Sequence, residues 1–196
     1  MLFDIQAYDT LIKNRRSVFP KDYTGEVVDD AIVEKIVESA LWAPTHKMTQ
    51  PWRFIIFTGA GLQSLAEAQA SLYKRVAERD GSFREDKYQN LLTKPLLSSH
   101  IVVVLMKRDE KQSVPEIEEV GAVFCAVENM YLSATAYGVG GYLSTGGVTY
   151  FEGVKELFGL NEDDKFIGFF HIGVPKSQPS ALKRKSFGEV VQWVRA

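Results

Sequence analysis

Ile101-Val102-Val103-Val104-Leu105-Met106 is an unbroken apolar run, and no other segment constrains the fold as tightly. A strand with one wet face alternates apolar and polar residues, whereas a run with no polar side belongs to a strand covered on both faces. The rest of the chain must supply the covers. Ile5, Tyr8, Leu11 and Ile12 fall at helical spacing and predict a first helix ending near Asn14. Asp29 and Asp30 favour a helix N-terminus; Ile32, Ile36, Val37, Ala40 and Leu41 follow on one face, and Pro44 stops the helix. Leu62 to Arg79 predicts a third helix, Glu116 to Tyr137 a long fourth, and Phe151 to Phe158 a short one ending at Gly159. Arg53 to Thr58 and Phe166 to Val174 read as further strands. The polar segment from Asp80 to Lys94 reads as a mobile excursion.

Strands separated by helices predict an α+β or α/β sheet, not a sandwich. The 196 residues suit one domain spanning 1–196, with 176–196 leaving the body as an extended tail. A net charge of −2 argues against a nucleic-acid or membrane-surface binder, which needs a basic excess. The first residues lack a basic stretch before an apolar run, and the long charge-free segment Asn129 to Phe151 is interrupted by glycines. Both features predict a cytoplasmic protein with no membrane span. In the long helix, Val123, Phe124, Ala126, Val127, Met130, Tyr131 and Ala134 are apolar almost all round. That implies burial on every side, either as a core pillar or as half of a subunit interface.

Hydrolytic and metal chemistries find no support. There is no Gly-x-Ser-x-Gly elbow and no Walker loop, and Gly138-x-Gly140-Gly141 follows a helix where a dinucleotide fingerprint would follow a strand. Cys125, the lone cysteine, reads as buried filler, and His100 and His171 as core or edge histidines. With His46 they form no metal-ligand spacing.

Three segments are harder to explain as scaffold. Asn14-Arg15-Arg16-Ser17 is either a solvated pair of arginines completing a helix dipole or a fork for an anion. Ala43-Pro44 to Gln50-Pro51-Trp52 is a proline-bounded loop dense in hydrogen-bonding side chains. Tyr137-Gly138-Val139-Gly140-Gly141 to Gly146-Gly147 holds glycines that would let backbone amides approach a flat or anionic ligand. The tail from Lys176 to Lys185 adds four cations and no acid.

In this order, together with Gly168-Phe169-Phe170-His171-Ile172-Gly173-Val174-Pro175, these motifs make the chain resemble the FMN-dependent nitroreductase family, most closely its short members. The resemblance implies an α+β, three-layer α-β-α fold with a central, mainly antiparallel sheet, built as an intertwined homodimer with FMN sites at the interface. It implies a ping-pong oxidoreductase that passes hydride from NAD(P)H through FMN to a small electron-poor acceptor such as a nitroaromatic, quinone or enone. The protein then supplies binding, orientation and electrostatics, and no catalytic triad or dyad is required.

By the same resemblance, Arg15, Arg16 and Ser17 hold the phosphate and the N1/C2 edge of the flavin. His46 and Gln50 reach it from the partner subunit, and Leu143, Ser144, Thr145 and Gly146 lie along the ring. Lys183 and Lys185 face the phosphate from the tail, where many relatives carry Lys-x-Arg. Trp42 and Phe19 stand where relatives often have arginine, and Met48 where many have asparagine. Other uses of the scaffold remain: reductive dehalogenation, breakdown of reduced flavin, or flavin binding in a regulatory or storage role.

Overall fold

The structure, a computed structural model, describes residues 4–177, 180 and 182–195. Its elements are α1 (Ile5–Asn14), α2 (Asp30–Ala40), β1 (Trp52–Thr58), α3 (Ala60–Arg79), α4 (Glu85–Thr93), β2 (His100–Met106), α5 (Glu116–Ala136), β3 (Gly140–Ser144), α6 (Val154–Leu157), β4 (Lys165–Gly173) and α7 (Phe187–Val190). The sheet runs β1-β2-β4-β3, and every neighbouring pair is antiparallel. A parallel bridge from Ser17 to Gly141 adds one rung outside β3.

The apolar run is β2, and all of it is buried. Val102, Val104 and Met106 enter a core with Val33 and Ile36 of α2 and Val123, Val127 and Met130 of α5. Ile101, Val103 and Leu105 enter a second core with Leu62, Leu65 and Leu72 of α3 and Val154 of α6. Three layers follow directly from a strand with no polar side. The β2–β4 register slips between Val104 and Leu105. That bulge puts Phe166 and Phe169 in one core, and Ile167 and Phe170 in the other.

Helix ends follow their caps. Asp4 accepts from the Gln6 and Ala7 amides at 2.9 and 3.0 Å, and Asp29 accepts from Ala31 at 2.9 Å. Three acidic residues open α5, where its dipole favours them. One of these, Glu119, is buried against Arg108, whose guanidinium also donates to Val114 O at 2.7 Å.

Four expectations need correction. The glycine-rich segment after α5 is a strand, β3: the Gly140 and Gly141 positions carry no Cβ because aromatic rings lie where one would stand. The Asp80–Lys94 excursion contains α4, and it is tied down as Tyr73 Oη accepts from the Arg84 amide at 2.9 Å. α5 is not a pillar buried on every side within one chain: Ile117 is 74% exposed, Phe124 45%, and Gly121 lies exposed on the same stripe, which leaves the subunit-interface alternative. Cys125 is exposed there too, not filler in the core. The stripe Ile5, Tyr8 and Ile12 that marks α1 as amphipathic is likewise exposed.

Candidate functional site

Residues 15–17 leave α1 in extended conformation and lie along the outer edge of β3, where the Val18 amide donates to Gly141 O at 2.9 Å. The two arginines divide their work. Arg16 donates from Nη1 to Lys13 O and Arg15 O at 2.6 and 2.8 Å, and from Nε to Ser180 O at 3.3 Å, so it fastens the turn and the start of the tail. Arg15 sits 5.0 Å over the Tyr131 ring, with its Nε 3.4 Å from Glu128. Its two terminal nitrogens make no hydrogen bond among the described residues, which leaves the forked end of the guanidinium available to an anion.

Tyr131 is one of two residues that sequence reasoning missed. A tyrosine on an apolar stripe reads as core, yet its hydroxyl accepts from the Leu143 amide at 2.7 Å and lies 3.3 Å from Ser17 Oγ. Its ring meets Phe170 edge-on at 4.8 Å. One side chain of α5 thus joins Arg15, Ser17 and Leu143, three residues expected at the site. The arrangement that leaves the Ser17 hydrogen free for a ligand has the phenol donating to Ser17 while accepting from Leu143.

The glycines divide between packing and access. A Cβ on Gly140 would stand 2.9 Å from the Tyr23 ring, one on Gly141 2.7 Å from Phe170, and one on Gly173 2.3 Å from Tyr23. Those positions serve packing; the Tyr23 hydroxyl crosses the strand pair to donate to His171 O at 3.2 Å, and burial raises its pKa so that it stays protonated. Gly146 and Gly147 are the exposed pair, the latter with φ +63° in a turn that favours glycine.

A cavity of about 580 Å³ opens beside them, on the α3 side of the sheet. Ser144 and Gly146 line it, with Tyr142 on β3 and His171 on β4. Phe19, Pro20 and Lys21, directly after the arginine segment, form one wall, and α3 and α4 form the other. Arg15, Arg16 and Ser17 lie outside the lining, at the far edge of β3. His171 Nδ1 lies 2.9 Å from Ser98 Oγ, and burial lowers the imidazole pKa to about 4, so the ring is neutral near pH 7. Gln69, only 6% exposed, borders the cavity, and its side-chain amide has no hydrogen-bond partner among the described residues. A donor–acceptor pair open to a cavity fits a ligand with a complementary polar edge, as a flavin pyrimidine has.

His46 and Gln50 sit elsewhere. His46 Nδ1 lies 2.5 Å from Glu118 at the start of α5, and Lys47 Nζ donates to Ser113 O at 2.8 Å. Glu118 and Glu128, the partners of His46 and Arg15, are separated by about 15 Å at 1.5 Å per helical residue. A single chain therefore does not bring this loop to Arg15 and Ser17. The loop is also strained: Lys47, Met48 and Gln50 have φ of 50°, 55° and 44°, conformations that cost side-chain-bearing residues about 1–3 kcal/mol each. Lys183 and Lys185 are exposed on the tail, beyond the Ser180 contact to Arg16, without ion pairs among the described residues. Among the described residues no cluster could hold a metal ion, and no helix is long and apolar enough to cross a membrane.

Comparison with known proteins gives a consistent picture. The nitroreductase family model matches residues 12–174. YdjA of Escherichia coli K12, provisionally named an NAD(P)H nitroreductase, is 33% identical over 175 residues, covering 87% of this chain and 89% of YdjA. YfhC of Bacillus subtilis 168, named in the same way, is 27% identical over 175 residues, covering 89% and 87%. Among solved structures, a nitroreductase-like family protein from Bacillus cereus superposes with a TM-score of 0.81 at 25% identity, covering 100% of this chain and 98% of that one. The FMN-dependent nitroreductase NfnB from Mycobacterium smegmatis, solved with NADPH, has the same fold at a TM-score of 0.71 and 20% identity, with 97% and 99% covered.

Proposed function

We propose that this chain, which belongs to the nitroreductase family, is an FMN-dependent oxidoreductase that draws electrons from NAD(P)H and delivers them to nitroaromatics, quinones or other electron-poor acceptors. The observation that carries this reading is an unspent arginine fork and a hydroxyl on the outer edge of β3, a strand that also lines a cavity on the α3 side of the sheet, where the Gln69 amide is unpaired among the described residues. Fork, hydroxyl and cavity each match one part of FMN: phosphate, ribityl chain and heterocycle. Bound FMN supplies the hydride chemistry, and the two half-reactions alternate by a ping-pong sequence.

The chain's own residues bind and orient. Arg15 offers Nη1 and Nη2 to the phosphate, Arg16 holds the turn that presents them, and Lys183 and Lys185 add charge from the tail. Tyr131 fixes Ser17 as a donor and holds the Leu143 amide. Gln69 would meet the pyrimidine edge, and Ser144, Thr145 and Gly146 would lie along the ring. Neutral His171 contributes bulk and no charge near pH 7.

The working unit is proposed to be a homodimer of single FMN-binding domains in the cytoplasm, where an unpaired cysteine stays reduced. Exposed Ile5, Tyr8 and Ile12 on α1 and Ile117 and Phe124 on α5 supply the apolar surface it needs. His46 and Gln50 would enter the partner's site, which accounts for their distance from Arg15 in their own chain. The test is an absorption spectrum of the purified protein, an anaerobic titration with NADH and with NADPH, and sedimentation. A yellow dimer bleached by either nicotinamide supports the reading; a colourless monomer that takes up no FMN overturns it.

A further inference from the structure

We propose that the α4 wall of the cavity selects electron acceptors that carry an anionic group on an aromatic ring, a carboxylate being the simplest. The proposal rests on the oxidoreductase reading and names the substrate class of that site. Lys87, Asn90, Leu91 and Lys94 recur at the three- and four-residue intervals that put side chains on one helical face, and Lys94 retains helical backbone at the end of α4. That face lines the cavity. Leu91 is half-buried on that face while Lys87, Asn90 and Lys94 stay exposed, so two of its four positions are solvated cations at the rim of the cavity. Lys21 adds a third cation from the turn at Pro20–Asp22.

No aspartate or glutamate lines the cavity, and none of the three lysines has an ion pair among the described residues. The acids on α4 do not line the cavity and have other partners: Asp86 holds Arg84 at 2.6 Å, and Glu85 accepts from Gln89 at 2.7 Å. His171, neutral, adds no competing charge. Phe19, Tyr142 and Phe151 supply aromatic surface beneath the cations. Apolar walls under a rim of one sign raise the local concentration of ligands of opposite sign, here flat molecules with a negative end. The cofactor phosphate is provided for at Arg15, on the far edge of β3, which leaves these lysines to another ligand.

The test compares 4-nitrobenzoate with 4-nitrobenzamide, close in size and differing in charge, in wild type, Lys87→Gln/Lys94→Gln and Lys87→Arg/Lys94→Arg. The glutamine pair is expected to keep wild-type flavin content and to lose on the order of tenfold in kcat/KM for the benzoate, with little change for the benzamide. The arginine pair should retain the preference, and added salt should erode it in wild type. Equal losses on both acceptors, loss of flavin, or a rise confined to the KM for NAD(P)H would each overturn the proposal, the last two by giving the lysines to cofactor or donor. Calorimetric binding of the two probes reads the same preference without turnover. A protein that never takes up flavin defeats the oxidoreductase reading, while a flavin-loaded enzyme indifferent to acceptor charge defeats only this one.

Discussion

The Leu143 amide donates to the Tyr131 hydroxyl at 2.7 Å, across the gap between the edge strand β3 and the helix α5. Replacing Tyr131 by phenylalanine keeps the ring beneath Arg15 and against Phe170 but leaves that amide without its acceptor, a cost of about 1–3 kcal/mol. For a chain of this size each kcal/mol lowers Tm by about 2–4 °C. The expected outcome is a lower Tm together with weaker FMN binding in a fluorescence titration of the apoprotein. A variant with wild-type flavin affinity would remove Tyr131 from any role in shaping the site.

The two adjacent arginines should behave differently. Arg15→Gln removes the free guanidinium fork and should weaken FMN by roughly 10- to 150-fold, the equivalent of a charge-assisted contact of about 1.5–3 kcal/mol. Arg16→Gln releases the carbonyls of Lys13, Arg15 and Ser180, so its larger effect should be on thermal stability and on protease sensitivity of the tail. Titration and melting of both variants at fixed salt separate the roles. Matching profiles would show that the division seen in the hydrogen bonds has no energetic counterpart.

Gly173→Ala would place a methyl group 2.3 Å from Tyr23 Cδ2. Tyr23 is buried across the β3–β4 pair, so the ring has no solvent side to retreat to. Overpacking of this kind costs about 1–3 kcal/mol, and denaturant midpoints should record it. Gly146→Ala, with nothing within 4 Å of the added methyl and an ordinary φ, should leave stability nearly unchanged.

His171 sets an acid limit. Its buried imidazole has a pKa of about 4, against 6.5 for the same group in an unfolded chain. Between those values the unfolded state takes up a proton that the folded state refuses, so stability is full above about pH 6.5, falls by up to about 1.4 kcal/mol per pH unit, and levels off below pH 4. Urea unfolding at pH 7 and pH 5 should therefore cost wild type about 2 kcal/mol more than His171→Gln. Identical losses would mean that water reaches the ring when it is protonated.

Most of the scaffold could be read from periodicity because its elements obey local rules. β2 declared itself by having no polar side, and α2 by its acid cap and its stripe from Ile32 to Leu41. The failures came where tertiary packing overrides local character. Gly140-Gly141-Tyr142-Leu143-Ser144 has the composition of a turn, and it is a strand because Tyr23 and Phe170 occupy the space its missing side chains leave. α4 lacks a side-chain cap and a buried residue, so its sequence looked irregular. Of the site, Arg15, Ser17 and Leu143 were marked by motif and are gathered by one phenol. Tyr131 itself carried no signal, since nothing in a linear pattern distinguishes a tyrosine that fills a core from one whose hydroxyl joins two other segments. Gln69 was hidden in the same way: an amide on a helix is ordinary until its surroundings show that none of the described residues answers it.

The separation of His46 from Arg15 along α5 has a genetic consequence. Under the dimeric arrangement, each pocket draws its arginine from one polypeptide and its histidine loop from the other. Two defective alleles, one altered at position 46 and one at position 15, should then rescue each other when co-expressed. In the mixed pair both lesions fall into the same pocket, and the other is assembled entirely from undamaged halves.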